Sequence, residues 1–116
     1  MRTEIRTFRR SARIWLSAWR QLRQAFYRYQ RLSNDLPGPG RFRRIDRYIR
    51  MVEADYAALD DTSMLVQQRA QYHGDITGLA RAIQQCASRT DSAEAQALLC
   101  IMSDAIERFE RCLSLR

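Results

Sequence analysis

The residues of this chain with the clearest capacity for chemistry are its arginines. All twenty basic residues are arginine, and fourteen of them fall within residues 1–50, which hold three acidic residues and therefore carry a net charge of +11. Residues 51–116 hold six arginines and ten acidic residues, a net charge of −4. Because a guanidinium binds carboxylate or phosphate through two parallel hydrogen bonds, this asymmetry predicts an anionic partner, folding of the basic half against the acidic half, or both. An arginine-only composition is also what codon usage in a GC-rich genome produces.

The candidate binding residues form two groups, one along residues 4–33 and one directly after a Pro/Gly-rich segment. In the second group, Arg41, Arg43 and Arg44 are predicted in the first turn of a helix, where positive charge opposes the helix dipole unless an anion binds. The alternatives are a solvated face, or pairing with Asp35 and with acids of the rear half. The predicted binding residues are Arg6, Arg9, Arg10, Arg13, Arg20, Arg23, Arg28, Arg31, Arg41, Arg43, Arg44 and Arg47.

The first group requires a long helix to position it. Residues 4–33 contain neither proline nor glycine, and their apolar residues recur every three or four positions, opposite the arginines. This spacing predicts a basic amphipathic helix ~45 Å long, which exceeds the ~13 Å radius of gyration of a compact 100-residue domain. We therefore expect an elongated bundle, or a homodimer in which this helix packs on another copy. The predicted apolar stripe is Ile5, Phe8, Ala12, Trp15, Trp19, Leu22, Phe26 and Tyr29.

The remaining chain is divided by cap-forming and helix-breaking residues. Residues 60–63 could end one helix and start another, or form a turn within one long helix, and we favour the restart. Gly74 followed by Asp75 resembles a helix end and a new N-cap, and Asp91 with Glu94 fits a capping box. No strand pattern occurs, so residues 1–116 are predicted to be a single all-α domain, an elongated bundle of three to five helices. The predicted elements are a helix at about 4–33, a loop at 34–40, and helices at about 41–59, 62–73, 75–88 and 91–114.

Catalytic and metal-binding chemistry has little support in the sequence. His73 is the sole histidine, and Cys86, Cys100 and Cys112 lie near apolar faces without the short ligand spacing that a zinc site needs. We predict no enzyme activity, no cofactor and no metal. The odd cysteine count and the absence of an 18-residue apolar run indicate a cytoplasmic protein without a membrane span. A transit peptide and a membrane-surface helix remain alternatives for the Arg-rich first helix, although its tryptophans favour a structural role.

Two functional hypotheses follow from the arginine pattern. The first is a non-enzymatic module that binds a nucleic-acid backbone with little sequence specificity. It does not fit a helix-turn-helix, because the helices are long and the loop between them is rich in proline and glycine. The second is a protein–protein adaptor or inhibitor that docks its basic and aromatic face on an acidic surface of a larger protein, which could itself handle nucleic acid. Interleaved aromatics such as Tyr27 leave base stacking open.

Overall fold

The computed structural model describes the backbone of residues 2–54 and 62–114, which contains four α-helices and no strand. Within the helices, the side chains of residues 2–13, 15, 52, 62–71 and 112–114 lie outside the described part. The all-α prediction is confirmed. The helices are α1 (Arg2–Leu32), α2 (Pro39–Ala54), α3 (Thr62–Arg89) and α4 (Ala93–Ser114).

The helices form an elongated bundle in which α1 packs mainly on α4, α4 on α3, α3 on α2, and α2 more lightly on α1. The molecule measures 50 × 23 × 21 Å. Since a helix rises about 1.5 Å per residue, the 31-residue α1 spans nearly the whole long axis. None of the helices in the described ranges combines the length and the apolar character needed to cross a membrane.

The core is centred on a cluster of aromatic rings contributed by three helices. The indole of Trp19 is fully buried, with its ring centroid 5.3 Å from Phe42 of α2 and 5.2 Å from Phe109 of α4. Phe26 stacks on Phe42 with a centroid distance of 3.9 Å. Burial of each such ring contributes roughly 1.5–3 kcal/mol. The aliphatic residues that complete the core include Leu22, Ile45, Ile49, Ile76, Leu79, Ile83, Leu99, Met102 and Ile106.

The predicted Pro/Gly loop determines where α2 begins. Pro37 is buried, and Gly38 has a φ of +46°, a left-handed conformation that glycine adopts without a steric penalty. The carbonyl of Gly38 accepts the first helical hydrogen bond from Phe42 N–H at 2.9 Å. Pro39 then occupies the first helical position, where its missing N–H is not needed. The helix therefore starts two residues before the predicted Arg41.

The predicted break between helices 62–73 and 75–88 is wrong, because α3 runs without interruption from Thr62 to Arg89. A glycine inside a helix costs only about 1 kcal/mol, and a single apolar register continues past Gly74 through Tyr72, Ile76 and Leu79. Packing of these residues on the core outweighs the local helix-ending signal. After the gap at 55–61, α3 is described from Thr62 onward, so the predicted helix end at 59 and the predicted restart both fall on residues outside the described ranges.

The start of α4 also differs in detail from the predicted capping box. Ser92, not Asp91, is the capping residue: its hydroxyl accepts a hydrogen bond from Ala95 N–H at 3.3 Å, and its carbonyl accepts one from Gln96 N–H at 2.9 Å. The side-chain amide of Gln96 reaches back to the carbonyls of Ala87 and Thr90 and so ties α4 to the end of α3. The short connection thus places α4 directly beside α3.

Two glycine-to-alanine substitutions should change stability in opposite directions. Gly38→Ala places a Cβ at positive φ, 3.4 Å from both Ala82 Cβ and Leu79 Cδ1, and should destabilise the protein by about 1–2 kcal/mol. Gly74→Ala adds a methyl group to an exposed position of α3 with no atom within 4 Å, and should stabilise it by up to about 1 kcal/mol. Urea unfolding followed by circular dichroism measures both. A destabilising Gly74→Ala would mean that α3 has a joint there after all.

Candidate anion-binding face

The outward face of α2 carries an array of arginines, here named the α2 face: Arg43, Arg44, Arg47 and Arg50. Phe42, Ile45 and Ile49 turn the opposite side of the helix into the core. Arg43 and Arg47 lie one turn apart and are exposed, and neither makes a hydrogen bond or ion pair with any residue in the described ranges. Arg44 and Arg50 flank them at the borders of α2 with α3 and α1.

The border with α1 is held by a buried carboxylate. Asp46 accepts three hydrogen bonds, from Trp19 Nε1 at 2.8 Å, from Arg23 Nε at 2.7 Å and from Arg50 Nε at 2.8 Å. Arg23 also donates through Nη2 to Glu53 at 2.7 Å. One aspartate therefore joins the indole at the centre of the core to two arginines on different helices.

The same hydrogen bonds keep this border ionised. Burial is the largest influence on the pKa of Asp46 and would raise it, but the hydrogen bonds from Trp19, Arg50 and Arg23 together hold the pKa below its ordinary value. For Glu53 as well, burial is the largest influence and would raise the pKa. Hydrogen bonds from Arg23 and Arg20 outweigh it, so the pKa of Glu53 is lowered. Both carboxylates are therefore negatively charged at neutral pH.

At the border with α3, the carboxylate of Asp75 accepts hydrogen bonds from an arginine of α2. Arg44 donates to its two carboxylate oxygens at 3.2 and 2.8 Å, which lowers the pKa of Asp75. Arg41 Nη1 donates to the carbonyl of Gly74 at 3.1 Å and lies 3.7 Å from Asp75 Oδ1. The guanidinium of Arg41 rests against Gly78, where an added Cβ would be only 2.4 Å from Arg41 Cζ. The pairing with rear-half acids that the sequence offered as an alternative is thus present for Arg41 and Arg44.

In both flanking pairs the carboxylate lies inside and the guanidinium outside. The side chain of Asp46 is 8% exposed against 57% for Arg50, and that of Asp75 is 15% exposed against 59% for Arg44. Arg44 and Arg50 each hold their partners through Nε and Nη2, so their Nη1 groups make no hydrogen bond with the described residues. An anion approaching from solvent therefore meets guanidinium groups whose positions are already fixed.

The other predicted binding residues are distributed differently. Arg20 is exposed beside the α2 face and donates to Glu53 at 2.8 Å, whereas Arg23 is largely enclosed by its two carboxylates and presents little surface. Arg28 lines a groove between α1 and α4, away from the α2 face, and Arg31 is exposed near the end of α1. The side chains of Arg6, Arg9, Arg10 and Arg13 lie outside the described residues.

Sequence reasoning missed the residues that organise the site. Arg50 was not among the predicted binding residues, although its spacing of four from Asp46 on one helix is a recognisable ion-pair signal. Asp46 and Glu53 were missed as its internal counter-charges. Tyr27, the aromatic named above for base stacking, lies beside Arg50: its hydroxyl accepts a hydrogen bond from Arg50 Nη2 at 3.3 Å.

The sole histidine does not form a Cys–His nucleophile pair with Cys86. His73 and Cys86 are thirteen positions apart on the continuous α3, or about 20 Å at 1.5 Å per residue. The Cys86 thiol is buried and donates a hydrogen bond to the carbonyl of Asp35 at 3.7 Å, and burial raises its pKa, which favours the protonated thiol at neutral pH. Cys100 is exposed, and the side chain of Cys112 lies outside the described residues.

Comparison with known proteins gives no family for this chain. No protein-family model matches it, and no match was found among curated proteins or solved structures. Its function is therefore inferred from the α2 face and the helices that support it.

Asp46→Asn should destabilise the fold by about 3 kcal/mol, the usual cost of removing one partner from a buried ion pair, because Arg23 and Trp19 lose their charged acceptor. Asp104→Asn, an exposed carboxylate on α4, should change stability by less than about 0.5 kcal/mol. Chemical unfolding at pH 7 measures both.

The stability gap between wild type and Asp46→Asn should depend on pH with a defined sign. Because folding lowers the pKa of Asp46, its contribution is complete above the unfolded value of about 3.9 and is lost as the pH falls through the folded value. Thermal unfolding between pH 7 and pH 3 should therefore show a constant gap that narrows at the acidic end. A gap that widens at low pH would contradict the network.

Proposed function

We propose that this protein is a non-enzymatic binding module that uses the α2 face to hold a nucleic-acid backbone through its phosphates, with little sequence specificity. The observation that carries the proposal is the state of Arg43 and Arg47. They are exposed, one turn apart on a packed helix, and make no ion pair within the described part of the chain. Two adjacent unneutralised guanidiniums repel each other, and a phosphate relieves that repulsion while accepting bidentate hydrogen bonds.

The flanking arginines add to this surface because their own carboxylates lie behind them. Arg44 and Arg50 remain more than half exposed while bound to Asp75 and Asp46. A side chain that is already ordered loses less conformational entropy when it binds a ligand. Each phosphate neutralised on a duplex contributes about −0.9 to the slope of log K against log salt, so four arginines predict a slope of about −3 to −4.

Low sequence specificity follows from the position of α2 in the bundle. Recognition helices enter the major groove with their side chains against base edges. Here α2 is packed between α1 and α3, and its outer side is lined by arginines within the described residues. Contacts from such a surface go to phosphates, which fix position without reading sequence.

A second candidate is docking of the same face on an acidic protein surface. The observation in its favour is Met51, which is 66% exposed one turn beyond Arg47. Methionine and arginine are both enriched in protein interfaces. A complex of this kind releases fewer condensed counterions, so it would persist at salt concentrations that dissociate a nucleic-acid complex.

The double variant Arg43→Gln/Arg47→Gln should weaken binding to labelled nucleic acid and reduce the magnitude of the salt slope by about 2, since each lost phosphate contact accounts for about 1. Fluorescence anisotropy at several salt concentrations between 50 and 200 mM gives both quantities. The matched control is Arg81→Gln/Arg111→Gln, which removes the same charge from exposed positions on α3 and α4.

The control should retain most of the affinity. Equal losses in the two double variants would show that binding follows net charge and not the α2 face. Absence of binding at 50 mM salt would overturn the nucleic-acid proposal in favour of protein docking. In that case Met51→Ala should weaken the complex with the acidic protein partner while leaving the fold intact.

A further inference from the structure

The aromatic side chains around the α2 face are engaged within the protein. Trp19, Phe26 and Phe42 are buried in the core. The exposed ring of Tyr27 packs edge-on against Phe42, with centroids 6.1 Å apart and an interplanar angle of 79°. Tyr48 is half-buried and stacks on Tyr72 of α3. Proteins that bind single strands stack successive bases on open aromatic faces. Among the described residues, this surface has no row of such faces.

The arginines are spread over the width of the surface around α2 as well as along the length of the helix. Arg50 and Arg20 lie at the border with α1, Arg43 and Arg47 on the outer ridge, and Arg44 at the border with α3. Axes of packed helices are about 8–10 Å apart, so the two borders are separated by a similar distance. A single strand offers one row of phosphates, whereas a duplex offers two rows that flank a groove about 6 or 12 Å wide.

The array is fixed in place at its two edges. Arg44 is held by two hydrogen bonds to Asp75, and Arg50 is held by Asp46 together with the hydroxyl of Tyr27. A fixed pattern of charges suits a ligand whose phosphates are themselves fixed. Duplex DNA is stiff over about 150 base pairs, whereas a flexible single strand would lose conformational entropy to match the pattern.

We infer that the ligand of the α2 face is a double-stranded nucleic acid, held across one groove by both of its phosphate backbones. The inference rests on the proposed function and narrows it to one class of substrate. In this arrangement Arg43 and Arg47 lie over the groove and reach either backbone. Arg44 serves the backbone on the α3 side, and Arg50 with Arg20 serves the one on the α1 side. No base needs to leave the stack.

The test compares a labelled duplex of about 20 base pairs with each of its separate strands, by fluorescence anisotropy with the 116-residue chain at 50 and 200 mM salt. The duplex should bind more tightly at 50 mM. Its affinity should also fall about tenfold more than that of the strands between the two salt concentrations, as expected for two additional phosphate contacts. Several unrelated duplex sequences should bind within a few-fold of one another.

Two variants separate the duplex arrangement from a single line of phosphates. Arg44→Gln removes one edge of the array, so it should weaken duplex binding and reduce that salt slope by about 1, while single-strand binding changes little. Tyr27→Leu removes the exposed ring together with the hydroxyl that helps to hold Arg50, so it should weaken duplex binding slightly and single-strand binding no more than that. Circular dichroism and thermal unfolding confirm that each variant is folded before binding is measured.

The outcomes distinguish this inference from the proposed function. Tighter binding of single strands, equal affinity and slope for both ligands, or a selective loss of single-strand binding in Tyr27→Leu would overturn the duplex inference while the nucleic-acid proposal stands. Failure of both duplex and single strands to bind at 50 mM salt would overturn both.

Discussion

The rest of the structure depends on one buried carboxylate, Asp46. It lies between α1 and α2, where their backbones make few close contacts, and it bonds to the indole of Trp19 at the centre of the core. A buried negative charge is unfavourable unless it is paired and fully hydrogen-bonded. Here Arg23 and Arg50 supply both charge and donors, so the position of α2 on α1 is set by the requirement to keep this charge satisfied. The ring stack of Phe42 on Phe26 also holds α2 on α1 at that position.

This constraint explains how the opposite charges of the two halves are used. Asp75, from the acidic half, lies beneath Arg44 and supports it from within. Glu53 does the same for Arg20, and together with Asp46 it encloses Arg23. The bundle thereby satisfies its internal carboxylates and still presents a positive surface. Asp35 in the loop and Arg89 at the end of α3 also form an ion pair, with both side chains exposed. Here the acid comes from the basic half of the chain and the arginine from the acidic half.

Much of the fold could be predicted because it follows from local patterns. The three-four spacing of apolar residues identified α1, the buried stripe from Trp19 to Tyr29 and most of α4, and the Pro/Gly segment located the turn. The predicted helix end at Gly74 was wrong because it relied on a local signal. The helix continues there because its apolar residues are buried in the core, and burial depends on the other helices. The site was predicted as a set of arginines, but their partners were not, since Arg23 with Asp46 and Arg44 with Asp75 are 23 and 31 positions apart. Such pairs depend on the register between helices, which the sequence does not encode locally.

The two-sided use of Arg44 and Arg50 has a consequence for which residues these positions tolerate. A guanidinium is planar and extended, so it can bind a carboxylate along one edge and still offer nitrogen atoms on the other. An ammonium group carries its three donors on one nitrogen, so it cannot bind Asp75 or Asp46 along one edge and an outside anion along another. Lysine is therefore a poor replacement at 44 and 50, yet an adequate one at 43 and 47, where no internal carboxylate competes among the described residues. Substitutions at 44 and 50 are therefore restricted by the internal carboxylate, whereas those at 43 and 47 are restricted only by the need for positive charge. A count of positive charges does not show this difference.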